Sequence, residues 1–122
     1  MKQKYIKGDI VMYDNKIHTI MDKLELNNYE LSYIEHPVHQ LELSGVLLTP
    51  EILEKNGWKD DGSDWYRLPT KRAYLYITKD ITTLGEFLVC VGIERHNLAS
   101  INFVHQLQHL LFGLNINSEM EV

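Results

Sequence analysis

Hydrophobic and polar positions alternate along the first third of the chain, then switch to a helical period twice. Ile10 to Tyr13 is β-prone, and Asp14-Asn15 is turn-prone because both residues tolerate left-handed backbone. Lys16 to Met21 resumes an apolar, β-branched run, so the segment predicts a hairpin. Lys23 to Asn28 reads as a polar connection. Tyr29 to Glu35 alternates as a strand with Tyr29, Leu31 and Tyr33 on one face, and Pro37 confines it to an edge or an end there. Gln40 to Leu48 returns as another strand, with Gly45 at a bulge or bend.

The period changes at Leu48. Thr49 is placed to cap a helix, Pro50 fits its first position, and Glu51 and Glu54 follow. Lys55 falls in the last turn and Gly57 supplies a left-handed residue after it. Lys59 to Ser63 is a polar turn, and Trp65 to Leu68 a short strand. Arg72 to Thr78 sets Tyr74, Tyr76 and Thr78 against Ala73, Leu75 and Ile77. Glu86 to Ile93 reads as a central apolar strand. Ser100 or Asn102 then caps a final helix that ends near Gly113. At 100° per residue, Phe103, Val104, Leu107, Leu110, Leu111 and Leu114 share an arc of about 120°, with His105 at about 200° and His109 at about 240°. The arc wants a core, and the two histidines are expected to face water.

These elements predict an α+β fold. An N-terminal SH3-like antiparallel β-barrel or meander leads to a short central helix, further antiparallel strands and a C-terminal amphipathic helix packed on the sheet. With 122 residues the chain fits one domain, 1–122, with a subdivision at 1–48 and 49–122 as the alternative. Folding at this size buries roughly two-thirds of the extended-chain surface, enough for a real core.

A net charge of -5 disfavours sequence-independent nucleic-acid binding, which displaces counterions with positive surface. The single cysteine, Cys90, excludes an internal disulfide and reads as a small buried hydrophobe. The opening MKQKYIKGD has no apolar core of a signal peptide, and no run approaches the ~20 residues of a membrane span, so a cytoplasmic location is expected.

Candidate chemistry is sparse. His105 and His109 have zincin spacing, but the general-base position holds Gln106 and no third ligand is evident. His36 and His39 point apart on an extended segment, and His18 and His96 are isolated. Asp60, Asp61 and Asp64 fail the EF-hand pattern. No catalytic, cofactor-binding or metal-binding residues are expected. The remaining feature is a cluster of rings, Trp58, Trp65, Tyr66, Tyr74 and Tyr76, the candidate partner-binding surface if Tyr74 and Tyr76 share an exposed sheet face. Their commoner fate is core packing. Only Lys71, Arg72 and Lys79 lie nearby to neutralise phosphates.

Three segments carry a resemblance: Lys7 to Val11 (KGDIV), Leu48 to Gly57 (LTPEILEKNG) and Phe103 to Gln108 (FVHQLQ). Together they resemble a family of small uncharacterised proteins common in phage- and mobile-element-rich genomes of gut anaerobes. The resemblance implies a barrel-like module, a helix, more strands and a final helix, with no activity or cofactor to carry over. It also implies Asn in many relatives at the position of His109, which weighs against a metal there. The expected function is non-enzymatic binding of a protein partner as an accessory factor. A nucleic-acid-associated module is the second reading, and the oligomeric state stays open.

Overall fold

The computed structural model describes residues 2–62, 64–70, 74–78 and 86–122. The fold is α+β, with two antiparallel sheets and a C-terminal helix. The first sheet contains β1 (Ile10–Tyr13), β2 (Lys16–Lys23), β3 (Asn28–Leu31), β4 (Val38–His39) and β5 (Ser44–Gly45), in the order β4-β3-β2-β1-β5. A bulge between Ile20 and Asp22 curls this sheet into a half-barrel. Helix α1 (Pro50–Lys55) follows, then the second sheet. Its strands are β6 (Lys59–Asp60), β7 (Trp65–Leu68), β8 (Leu75–Thr78), β9 (Phe87–Val91) and β10 (His96–Ile101), ordered β10-β9-β8-β7-β6. Helix α2 (Val104–Gly113) closes the fold.

Local chemistry explains several boundaries. Asp14 and Asn15 both take positive φ, 50° and 61°, and turn β1 into β2. The Thr49 hydroxyl accepts the Ile52 N–H at 3.2 Å, Pro50 opens α1, and Gly57 follows it at φ 89°. Leu75 and Ile77 enter the core together with Phe87 and Val89.

Other boundaries differ from the sequence expectations. The strand expected over Tyr29–Glu35 stops at Leu31, and Tyr33 turns outward at φ 63° with 98% of its surface exposed. Tyr29 and Leu31 alone enter the core. The segment Gln40–Leu48 is a 3₁₀ turn over Gln40–Glu42 plus the two-residue β5, because the Glu42 carboxylate accepts the His39 N–H and the His39 ring accepts the Leu41 N–H across the turn. Lys59 and Asp60 form β6 rather than a turn. Neither Ser100 nor Asn102 caps α2. Instead the Gln106 side chain reaches back and accepts the Asn102 and Phe103 N–H groups at 2.9 and 3.1 Å. Strand β10 is an unforeseen polar edge strand whose residues are mostly exposed. Ala73 lies outside the described residues.

Two apolar clusters result. The smaller lies under the first sheet and holds Tyr5, Val11, Ile20, Tyr29, Leu31, Val38 and Leu43. The larger lies between the second sheet, α1 and α2 and includes Leu53, Trp58, Phe87, Val104, Leu107 and Leu111. Strand β1 serves both, with Ile10 in the larger and Val11 in the smaller, as period-two alternation dictates. Val46 and Leu48 also join the larger cluster, so its side chains come from both sides of residue 48.

Gly45 sits where this seam is tightest. A Cβ there would lie 2.6 Å from the Phe103 ring and 3.1 Å from His105 Cε1. Gly45→Ala should therefore cost about 1–3 kcal/mol through overpacking. A lower urea midpoint at unchanged slope would show it.

Candidate functional site

Among the described residues, two places bring chemistry-bearing side chains together. The first is the polar flank of α2. His105 was expected to face water, yet it is 3% exposed, and His109 is only half-exposed. The helix has two neighbours. Val104, Leu107 and Leu111 enter the larger core, while the opposite flank packs on the N-terminal arm and the start of β1. A single-face periodicity argument sees only the first neighbour.

His109 Nε2 donates to Asp9 Oδ2 at 2.6 Å, and the same oxygen accepts the Ile6 N–H at 2.9 Å. Gln108 accepts the Ile10 N–H at 2.9 Å and donates to the carbonyls of Gly8 at 3.0 Å and Ser118 at 3.2 Å. His105 stacks on Phe103 at 5.7 Å and meets Tyr5 edge-on at 5.0 Å. Burial pushes the His105 ring down to about 4, assisted by His109 and Lys4. Burial also raises the Asp9 carboxyl above its ordinary range, against the opposing pull of the Ile6 N–H and His109. The Tyr5 hydroxyl is raised by burial, then by Tyr29 and Asp9.

This arrangement orients an imidazole on a carboxylate, as general bases require. Among the described residues, no hydroxyl or thiol is hydrogen-bonded to either histidine, and no group of three His, Cys, Asp or Glu side chains is placed to hold a metal ion. Asp9–His109 and Gln108 fasten the first hairpin to α2.

The second place is the outer face of the second sheet. Trp58 and Tyr66 drop out of the expected ring surface, because both are buried in the larger core. Trp58 follows α1, where its N–H bonds the Leu53 carbonyl, and alternation along β7 places Tyr66. Tyr66 and Leu68 point inward from β7, which leaves Trp65 and Arg67 outside. Leu75 and Ile77 likewise point inward from β8, which leaves Tyr76 outside. Tyr74, just before β8, is 54% exposed and shares a hollow of about 290 Å³ with Arg67.

Strand register sets Lys59, Arg67, Tyr76, Cys90 and Asn97 in one row across the face. Tyr76 is only 8% exposed because Arg95 covers it. The Arg95 guanidinium lies 4.4 Å from the Tyr76 ring centroid and 5.4 Å from that of Trp65, and approaches Asp61 at 3.8 Å. Trp65 and Tyr76 meet edge-on at 6.3 Å. The Cys90 thiol is buried and donates to Asn97 Oδ1 at 3.1 Å, and burial raises its pKa against the opposing pull of Arg95. Sequence reasoning missed Arg67, although period-two spacing from Trp65 puts both on one face. Arg95 was not legible, since only the turn beginning at Gly92 carries it back over the sheet.

Comparison with protein-family models, with curated proteins and with solved structures finds no match to this chain. No helix among the described residues is long and apolar enough to cross a membrane.

Proposed function

We propose that the chain is a non-enzymatic accessory protein that binds a protein partner through the outer face of its second sheet. The observation that carries this reading is the joint presence there of half-buried Trp65, exposed Tyr74, exposed Arg67 and the Arg95 guanidinium laid over two rings. Aromatic side chains and arginine are the types enriched at energetically dominant contact points. We take the curled first sheet as an SH3-like module and the setting as the cytoplasm. The three sequence motifs support a phage or mobile-element origin.

The test is affinity capture from host lysate with the wild-type chain and with Tyr74→Ala. A captured protein should be depleted at least about tenfold by the variant, whose melting temperature should stay within a few degrees of wild type, as for an exposed contact residue. Equal capture, or an unfolded variant, would count against this surface.

Lys59, Arg67 and Arg95 beside Trp65 favour one second reading, a nucleic-acid-associated module. A gel shift of single-stranded or duplex nucleic acid at ~150 mM salt, where weak electrostatic binding has faded, would establish it instead.

A further inference from the structure

The first sheet carries an unrelated surface on the outer side of β2 and β3. A hollow of about 720 Å³ there is lined by Met21, Glu30, Leu31, Tyr33 and their neighbours. It runs into a second hollow of about 500 Å³, and the two share Glu30, Ile34 and Glu35, so they form one elongated trough. Its apolar content is unusually open, with Met21 46% and Tyr33 98% exposed. Tyr33 also holds positive φ, a conformation costly for a bulky residue and unrelieved by packing.

The rim is acidic. Asp22 stands directly opposite Glu30 in the β2–β3 ladder, a like-charge pairing that destabilises a sheet, and Glu35 lies beside them. Among the described residues no cation pairs with these three carboxylates. The neighbouring Lys23 is turned elsewhere: its ammonium donates to the Leu24 carbonyl and lies over the Tyr29 ring.

We propose that this trough docks an extended, arginine-bearing segment of a partner protein. Guanidinium groups would bridge the opposed carboxylates and lie on the exposed Tyr33 ring, and aliphatic side chains would cover Met21 and Ile34. The same carboxylates repel nucleic-acid phosphates and anionic lipid headgroups, which leaves a basic protein segment as the occupant.

The test uses the full chain and a short fluorescent peptide alternating arginine and leucine, read by anisotropy. An alternating glutamate–leucine peptide should not bind. Glu30→Lys should weaken the arginine peptide at least about tenfold, whereas Glu54→Lys, an equal charge change on exposed α1 surface, should weaken it about twofold or less. Tyr33→Gly relieves the backbone, so it should hold or raise the melting temperature while weakening binding at least about threefold. Failure of the arginine peptide to bind, equal losses in Glu30→Lys and Glu54→Lys, or unchanged affinity in Tyr33→Gly would each overturn the proposal.

Discussion

Leu107→Asp should abolish the cooperative unfolding transition. Leu107 is fully buried and lies in the larger cluster with Val104, Leu111, Phe87 and Ile101. Deleting its apolar burial alone costs about 2–5 kcal/mol. The substitution also places a carboxylate into that apolar cluster, which costs several kcal/mol more or forces it to protonate. The sum is comparable with the whole stability of a domain, about 5–15 kcal/mol. Phe112→Asp is the internal control. Phe112 is 67% exposed on the same helix, so its variant should melt within a few degrees of wild type. A cooperative melt near the wild-type temperature for Leu107→Asp would contradict the placement of α2.

The second large effect is a loss of stability in acid, centred on His105. Folded, its ring stays neutral down to about 4, whereas an unfolded chain takes up that proton near 6.5. Between those values the unfolded state binds more protons, so stability falls as pH falls, by at most about 3 kcal/mol at ~1.4 kcal/mol per pH unit. The groups around His105 are Tyr5 and Lys4 from the N-terminal arm and His109 from its own helix, and Asp9 lies behind His109. Asp9 works in the opposite direction. Its carboxyl is raised in the fold, so its protonation on acidification favours the native state, and that stability is lost as pH rises through its folded pKa. His105→Leu separates the two. The drop in melting temperature from pH 7 to pH 4.5 should be smaller in the variant than in wild type. An undiminished drop would show that His105 is not the group responsible.

The sequence showed most clearly what local chemistry controls. Helix α1 carries its own cap, first-turn proline and terminal glycine, and β1–β2 carries its own turn pair, so both were legible without tertiary information. The division of β8 into two sides followed from alternation, which set Leu75 and Ile77 against Tyr74 and Tyr76, but which side faces the core became visible only in the fold. Long-range events were illegible. Asp9 meets His109 across 100 residues, and nothing near either residue announces the other. The same is true of Gln108, whose amide satisfies backbone at the start of β1. Tyr33 broke the alternation of its segment because its backbone takes a left-handed turn that propensity does not favour. Strand β10 has too few apolar residues to read as a strand and exists because β9 offers it an edge.

The ring cluster shows the same limit. Of five aromatics close in sequence, two turn to the core and three share the outer face of the sheet, where cover by Arg95 separates Tyr76 from the other two. Trp58 and Tyr66 hold the core, Tyr76 lies under Arg95, and Trp65 and Tyr74 remain toward solvent.

Hydroxyl-radical footprinting of the intact chain, alone and with its captured protein partner, tests the binding face most directly. Trp65 and Tyr74 should be labelled in the free chain and protected in the complex, while exposed Phe112 on α2 is labelled equally in both. Equal labelling of Trp65 and Tyr74 with and without the partner would contradict the assignment of the outer face of the second sheet as the site of binding.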